Sequence, residues 1–297
     1  MNPWSPTSPC DPGCLPGRPP SHASARALRA LRLAVRGAAL AVVLVAGLLA
    51  TLVVPLLGPS AVAGVQRLWA AAVLAACGVR VRHTGPVAPP GALVVANHVS
   101  WLDVFALHAV APVRMLAKTE VRAWPLLGLM AARAGTVFLD RDRLRDLPGA
   151  VAGLAGALRA GTPIGVFAEG TTRCGRDLGA FRPAAFQAAR DAGAPVVPVA
   201  LRYRRRGDLP AAAPLDTTAA FVGDDTLASS LLRVLTARGI DIDVTACAVV
   251  DPYVVPAGPA RASARRALAR RTAAAIAAAL PGDTPVLPTV PELARAA

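Results

Sequence analysis

The sequence predicts an α/β domain built on a central mixed sheet flanked by helices, preceded by a hydrophobic segment. The first observation is an alternation of apolar, strand-like runs with helix-like stretches between residues 79 and 250. Alternation of this kind is typical of a largely parallel or mixed sheet covered by helices. The second observation is a run of thirty residues without a formal charge, from Gly37 to Gln66. Such a run is long enough to reach across a membrane.

The predicted elements follow one another along the domain. Strands are predicted at 79–83, 92–96, 113–117, 135–139, 164–168, 195–202, 218–222 and 242–250. Helices are predicted at 102–110, 119–133, 144–160, 180–192 and 224–238. Residues 261–280 form a further Ala-rich helix with five arginines. We expect this helix to pack on the domain with a solvated basic face; the alternative is that it lies on anionic lipid.

The composition indicates contact with a membrane. Hydrophobic residues make up 54% of the 297 residues, and the mean hydropathy is +0.48, which is high for a soluble protein. The net charge of +14 attracts anionic partners. Aromatic residues are only 4% and no zinc-finger or RNP-like pattern occurs, so an anionic membrane explains the charge better than nucleic acid does.

Composition divides the chain into four segments. They are a Pro-, Ser- and Gly-rich tail predicted to be disordered (1–24), a basic stripe with a hydrophobic membrane hairpin or anchor (25–80), the α/β domain (81–257), and a basic Ala-rich helix with a loose tail (258–297).

The hydrophobic anchor is predicted to enter and leave the membrane on the same side. Its first stretch, 37–57, reaches about 31 Å at ~1.5 Å per residue, and Pro and Gly then separate it from a second stretch, 61–79. Arginines flank the pair on both sides, at 26–36 and 80–82, which places both ends in the cytoplasm. A secretory signal ending at Ala61-Val62-Ala63 is the alternative, but the apolar core exceeds the ~7–15 residues of such signals.

The five cysteines indicate a reducing compartment. They are odd in number, scattered, and without paired metal spacing: Cys10, Cys14, Cys77, Cys174 and Cys247. We therefore expect free thiols and no metal site.

A His–Asp pair follows the apolar run 92–96, in Asn97-His98-Val99-Ser100-Trp101-Leu102-Asp103. We predict a helix with Ser100 as N-cap and Asp103 three residues in, which resembles a capping box. Asp103 then reaches back to His98, and a neutral His held by a carboxylate presents its other ring nitrogen as a base. The alternative is that Asp103 only caps the helix. The chain lacks a G-x-S-x-G elbow, so a serine hydrolase has no nucleophile here.

Three further blocks follow that pair: Gly135-Thr136-Val137-Phe138-Leu139-Asp140-Arg141, Phe167-Ala168-Glu169-Gly170-Thr171-Thr172-Arg173 and Val197-Pro198-Val199-Ala200. In this order the four blocks resemble the glycerolipid acyltransferase family, in particular 1-acylglycerol-3-phosphate acyltransferases. The resemblance implies a glycerol-3-phosphate-acyltransferase-like fold at the cell membrane, with the catalytic domain facing the cytoplasm. It also implies acyl transfer from acyl-CoA or acyl carrier protein to the free hydroxyl of 1-acylglycerol 3-phosphate, forming phosphatidate without a further cofactor.

By the same resemblance, His98 is the base and Asp103 orients it. The implied substrate-binding residues are Asn97, Ser100, Lys118, Arg141, Glu169, Gly170, Thr171, Thr172, Arg173 and Arg182. Lys118 is the chain's only lysine, and an ammonium is a compact point charge that a guanidinium does not replace.

The third block departs from the Glu-Gly-Thr-Arg-Ser that is common in the family, because Arg173 is displaced by one position. This leaves the acceptor headgroup open. Another lysophospholipid, glycerol 3-phosphate or a lyso-amino-acid lipid are the alternatives, and a non-catalytic, basic membrane-binding protein is the alternative of a different class.

Overall fold

The computed structural model describes residues 8–17, 22–123, 127–140, 143–208, 214–253 and 261–280. The strands in this part of the chain are β1 (Val79–Thr84), β2 (Leu93–Ala96), β3 (Arg114–Lys118), β4 (Val137–Leu139), β5 (Ile164–Phe167), β6 (Val196–Arg205) and β7 (Ile240–Ala246). The α-helices are α1 (Ala23–Val53), α2 (Pro59–Ala76), α3 (Leu102–Val110), α4 (Thr119–Arg122), α5 (Leu127–Arg133), α6 (Leu147–Arg159), α7 (Ala184–Ala192), α8 (Leu227–Thr236) and α9 (Arg261–Ala279).

The strands form one mixed sheet in the order β1-β7-β6-β2-β5-β3-β4. All neighbours are parallel except β6 and β7, which are antiparallel. The prediction of a mixed α/β sheet is confirmed. Because β2, β5, β3 and β4 are parallel, their carboxyl ends lie at one edge of the sheet, where loops from separate parts of the chain meet.

Helices cover both faces of the sheet, so the core has two apolar layers. Along β2, Val94 and Ala96 belong to one layer, whereas Leu93 and Val95 belong to the other, as the period of two in a strand requires. Since both faces are buried, β2 is apolar throughout and does not alternate.

The C-terminal helix α9 packs on the second layer through its apolar side, which includes Leu268 and Ile276. Arg266, Arg270 and Arg271 lie on its exposed side. The predicted packing of this helix on the domain is confirmed, whereas the choice between water and anionic lipid for its basic face stays a prediction. The tail predicted after it, 281–297, lies outside the described residues.

The N-terminal hydrophobic segment forms two helices with different roles. Among the described helices, α1 alone has the length and hydropathy of a membrane span, with a mean hydropathy of 2.3 and 11% of that window buried. The break comes where predicted, with a 3-10 turn at Val54–Leu56 and a proline at the first position of α2. However, α2 buries Val73 and Leu74 in the core of the domain. Among the described helices, only α1 is therefore a candidate span by length and hydropathy; that the segment enters and leaves the membrane on the same side stays a prediction.

The predicted basic stripe also needs one correction. Arg36 donates from its guanidinium to the carbonyl oxygens of Val234, Leu235 and Ala237, at 3.5, 3.0 and 2.8 Å. These carbonyls end α8, and a cation there satisfies groups that the helix itself leaves unbonded. Arg36 thus docks α1 on the domain. The stripe prediction had placed this residue at the membrane surface.

The tail predicted to be disordered contains a segment with defined contacts. Residues 8–17 include a 3-10 turn at Pro12–Cys14, with the Asp11 side chain accepting from the N–H of Gly13 at 2.8 Å. Cys10 is buried against the first core layer. The disorder prediction is therefore wrong for residues 8–17, whereas residues 1–7 and 18–21 lie outside the described ranges.

Two element predictions also fail in detail. Residues 218–222, predicted as a strand, form turns and irregular backbone, because Phe221 bonds through its N–H to the Val99 carbonyl and not to a neighbouring strand. Residues 247–250 do not extend β7 and form only an isolated bridge from Val250 to Val196. Residues 218–222 are apolar because most of them are buried, and a short apolar run of this kind is not distinguished from a strand by periodicity alone.

Candidate active site

The predicted His–Asp pair is assembled in the turn between β2 and α3. Nδ1 of His98 lies 2.9 Å from Oδ2 of Asp103. The Asp103 side chain is fully buried, whereas 19% of the His98 side chain is exposed. With one ring nitrogen held by a carboxylate, the imidazole has its other nitrogen for a substrate proton.

The Asp103 carboxylate has three further partners besides His98. Oδ2 accepts from the backbone N–H groups of Val99 at 2.6 Å and Ser100 at 2.9 Å, and Oδ1 accepts from the Tyr203 hydroxyl. Burial, and then the negative charge of Asp103, raise the pKa of Tyr203 well above its ordinary value, so that its hydroxyl remains a donor. A carboxylate with four partners is fixed in position.

The helix start differs slightly from the prediction. The first helical residue is Leu102 and the N-cap is Trp101, not Ser100. The half of the capping box in which Asp103 accepts from the Ser100 N–H is present, but the Ser100 hydroxyl accepts from Leu102, at 3.4 Å. The Asp103 carboxylate turns towards the loop because its donors lie there.

An aromatic contact that the sequence analysis missed fixes the plane of the imidazole. The rings of His98 and Phe167 are stacked, with centroids 3.9 Å apart and an interplanar angle of 7°. Phe167 ends β5 and pairs in register with Ala96 at the end of β2. Phe167, the first residue of the third block, therefore covers one face of the His98 imidazole.

Glu169 holds the main chain of the catalytic turn. Its Oε1 accepts from the N–H of His98 at 2.8 Å, and its Oε2 accepts from the N–H of Gly179 at 2.7 Å. Burial raises the pKa of Glu169 to about 8, opposed by the N–H groups of Gly179 and His98 and by Arg173. In the structure this carboxyl group positions the main chain of His98, and its predicted contact with substrate stays a prediction.

Arg173 also acts on the catalytic turn. Its backbone N–H donates to the carbonyl of His98 at 2.8 Å. Its guanidinium donates to Asp177 at 2.6 Å, while Nε lies 3.3 Å from Glu169 Oε2 without forming a hydrogen bond. Only 14% of the side chain is exposed. The guanidinium that was predicted to bind the acceptor is thus paired with Asp177 of the chain itself, and its contact with substrate stays a prediction.

The remaining residues of the third block shape the loop. Gly170 has a φ of 77°, a left-handed conformation that favours glycine, and its N–H donates to the Phe167 carbonyl at 3.1 Å. Thr172 donates its hydroxyl hydrogen to the Phe221 carbonyl at 2.6 Å. Thr171 is half-buried between them, and its substrate contact stays a prediction.

Asn97 and Ser100 were predicted to contact substrate, and the structure gives both a structural position. The Asn97 amide bonds to both main-chain groups of Leu201, donating to the carbonyl at 3.0 Å and accepting from the N–H at 2.8 Å. Ser100 is fully buried. Asn97 therefore joins the end of β2 to β6, because both ends of its amide are used by the backbone.

Two of the predicted cations, Lys118 and Arg182, lie at the end of a strand or in a loop that follows one. Lys118 is the last residue of β3. Arg182 bonds through its N–H to the Ala168 carbonyl at 2.8 Å, and burial lowers the pKa of its guanidinium. Arg141 lies outside the described residues. The phosphate-binding roles of all three stay predictions.

Comparison with known proteins agrees with this geometry. Residues 78–202 match the family model described as Acyltransferase. The chain is 38% identical over 220 residues to a lyso-ornithine lipid O-acyltransferase of Pseudomonas aeruginosa, covering 73% of this chain and 78% of that protein. The chain belongs to the acyltransferase family.

Two further relatives help to define this acyltransferase. A 1-acyl-sn-glycerol-3-phosphate acyltransferase of Neisseria gonorrhoeae is 37% identical over 174 residues, covering 59% of this chain and 66% of the relative. The crystal structure of the 1-acyl-sn-glycerophosphate acyltransferase of Thermotoga maritima matches with a TM-score of 0.58 at 18% identity, covering 86% of this chain and 97% of the other. That likeness shows a shared fold. The enzyme is an acyltransferase of the lysophospholipid type.

Proposed function

We propose that the chain transfers a fatty acyl group from an acyl thioester to the free hydroxyl of a lyso-lipid, with His98 as general base. Its second ring nitrogen takes the hydroxyl proton while the oxygen attacks the thioester carbonyl carbon. The carbon–sulfur bond then breaks, and the imidazolium returns the proton to the leaving thiolate. General-base assistance of this kind contributes roughly 10²–10⁴ in rate. Acyl-CoA and acyl carrier protein both supply such a thioester.

Asp103 supports this step by holding His98 Nδ1 and by stabilising the imidazolium that forms. The bond of 2.9 Å from Nδ1 to Oδ2 is the observation that carries the proposal, because it fixes the tautomer in which the second nitrogen is an acceptor. The stacked Phe167 ring and the two main-chain bonds from Glu169 and Arg173 keep the imidazole in place.

For the acceptor, we infer a lyso-ornithine lipid. A phosphate monoester carries about −1.5 to −2 charges at pH 7 and needs several cations, whereas an amino-acid headgroup pairs its carboxylate with an ammonium of its own. Arg173 is already paired with Asp177 and lies beside Glu169, so its charge is compensated within the chain. The lyso-ornithine lipid acyltransferase of Pseudomonas aeruginosa supports the same acceptor.

A second candidate acceptor is 1-acylglycerol 3-phosphate. The relative from Neisseria gonorrhoeae, named for that activity, supports it. With that acceptor, Lys118 and Arg182 would carry the phosphate. The product would then be phosphatidate.

An acceptor panel tests the proposal. The purified full-length chain in mixed micelles receives labelled acyl-CoA, or acyl carrier protein, with lyso-ornithine lipid, 1-acylglycerol 3-phosphate, lysophosphatidylethanolamine or glycerol 3-phosphate. Mass spectrometry then identifies the acylated product, and the His98→Ala variant serves as the blank. Product from lyso-ornithine lipid at the highest kcat/KM supports the first acceptor, and a preference for 1-acylglycerol 3-phosphate supports the second. Equal turnover by wild type and His98→Ala would remove the general-base mechanism.

We also propose that α1 holds the enzyme at the membrane with the catalytic domain in the cytoplasm. Arginines lie on both sides of the hydrophobic segment, at 26–36 and 80–82, and support an arrangement in which both of its ends are cytoplasmic. Protease added to intact cells should leave the domain uncut, and the same protease should cut it after lysis. Cleavage in intact cells would place the domain outside.

A further inference from the structure

Three of the five cysteines meet beside the catalytic loop, although they come from distant parts of the chain. Cys10 and Cys14 belong to the N-terminal segment, and Cys174 directly follows Arg173. Their sulfur atoms all lie within 4.8 Å of one another. Cys10 and Cys174 are buried, and Cys14 is half-buried. None of the three takes part in the proposed acyl transfer.

A backbone donor already points at one of these sulfurs. The N–H of Cys174 donates to the Cys10 sulfur at 3.2 Å, so the two loops meet at the sulfur itself. Donors to a ligand atom stabilise the charged form that a metal requires.

The local turns bring the three side chains to one point. The 3-10 turn at Pro12–Cys14 returns the chain so that the Cys14 N–H donates to the Asp11 carbonyl at 3.1 Å. On the opposite side, the residue after Cys174 is Gly175, which has a φ of 89°, a left-handed conformation that favours glycine. Two loops with no other shared function therefore present thiols to each other.

We propose that Cys10, Cys14 and Cys174 bind one zinc ion. Zinc is held by thiolates at ≈ 2.3 Å, so three sulfurs within 4.8 Å of one another need only a small contraction to surround it. Each thiol loses its proton to solvent as it binds. The half-buried Cys14 leaves the fourth position to a water molecule. Soft thiolate ligands favour zinc over magnesium or calcium.

The ion would fasten the N-terminal segment to the loop that holds the catalytic turn. Arg173, which precedes Cys174, bonds to the His98 carbonyl, and Thr172 bonds to the Phe221 carbonyl. The N-terminal segment already packs on the first core layer through Cys10, Cys14 and Leu15, and a metal bound by both loops would strengthen that attachment. The expected role is structural, with an indirect effect on His98.

Elemental analysis of the full-length protein tests this site. The chain is purified in detergent without chelators from cells supplied with zinc, and bound zinc is measured for wild type, Cys14→Ser, Cys174→Ser and Cys247→Ser. Cys247 is the matched control because it lies outside the cluster. We expect about one zinc per chain in wild type and Cys247→Ser. In the two cluster variants, zinc affinity should fall at least tenfold. Loss of a residue that only supports a metal ligand already lowers metal affinity by ~10–100-fold.

Two measurements on the wild-type chain test the site even if the variants fail to fold. Replacement of zinc by cobalt(II) should give the intense visible absorption of a tetrahedral thiolate site. Denaturation with a chelator and no reductant should release all five thiols. Wild type with no more zinc than Cys14→Ser would overturn the proposal, and so would two missing thiols, which would identify a disulfide in place of the metal site.

Discussion

Tyr203 donates its hydroxyl hydrogen to Oδ1 of Asp103, so the carboxylate that orients His98 is itself held from the neighbouring strand. The two residues are 100 positions apart in sequence. Tyr203 lies on β6, which runs parallel to β2 and extends past its end. The catalytic turn is therefore anchored to the rigid centre of the sheet and not only to its own helix.

Removal of that hydroxyl should slow catalysis without unfolding the protein. A hydrogen bond to a charged group contributes ~1.5–3 kcal/mol, so kcat should fall about 10- to 150-fold in Tyr203→Phe. The matched control is Tyr253→Phe, since Tyr253 is the chain's other tyrosine and bonds to the Arg190 carbonyl. Initial rates and melting temperatures measure the two effects. Unchanged kcat in Tyr203→Phe would mean that the remaining partners suffice to hold Asp103.

The buried side chain of Glu169 should make the stability of the folded protein depend on pH. Burial raises its pKa from 4.5 to about 8, so the folded chain binds the proton more tightly than the unfolded chain does. The contribution of Glu169 is therefore most favourable below pH 4.5, and it declines as the pH rises towards about 8. Glu169→Gln, which cannot ionise, should lose this decline.

Melting temperatures of the full-length chain across that pH window measure the effect. Glu120→Gln is the control, because Glu120 is exposed on α4 and should leave the wild-type profile unchanged. Relative to Glu169→Gln, wild type should lose stability as the pH rises from 4.5 towards about 8. Parallel profiles for the two would show that Glu169 does not change its protonation in this range.

The local parts of the site could be predicted from sequence, and the long-range parts could not. His98 and Asp103 are five residues apart, within one strand-to-helix turn, so their contact follows from local geometry. The stacking of Phe167 depends on the register of β2 with β5. The Cys10–Cys174 contact joins residues 164 positions apart. Strand order and loop packing decide such contacts, and a single sequence does not contain them.

Gly179 lies so close to the third block that we expect it to tolerate no side chain. A Cβ at this position would lie 2.5 Å from Nε of Arg173 and 2.9 Å from Oε2 of Glu169, and both atoms are held in a buried network. Gly179→Ala should shift Glu169 and with it the His98 main chain. A misplacement of about 1 Å costs about 100-fold in rate, so we expect kcat to fall by up to that factor.

The control for this substitution is Gly153→Ala in the middle of α6, where a Cβ meets nothing within 4 Å. It should keep its activity and gain roughly 0.5–1 kcal/mol of stability. Steady-state kinetics and thermal unfolding of both variants make the comparison. Full activity in Gly179→Ala would show that the Arg173 and Glu169 side chains can move without disturbing His98.

The last prediction concerns Lys118, which ends β3 at the same edge of the sheet as His98. If its ammonium binds the acidic group of the acceptor, Lys118→Ala should raise KM for the acceptor about 10- to 150-fold, with little change in KM for the thioester. Lys118→Arg keeps the charge but should not restore full activity, because a guanidinium differs in shape and hydration. Arg114→Ala, at the opposite end of β3, removes an equal charge and should leave both constants unchanged. Measurement with lyso-ornithine lipid and with 1-acylglycerol 3-phosphate shows which headgroup Lys118 contacts. Unchanged constants for both acceptors in Lys118→Ala would assign the acidic group to another cation, with Arg182 the first to test.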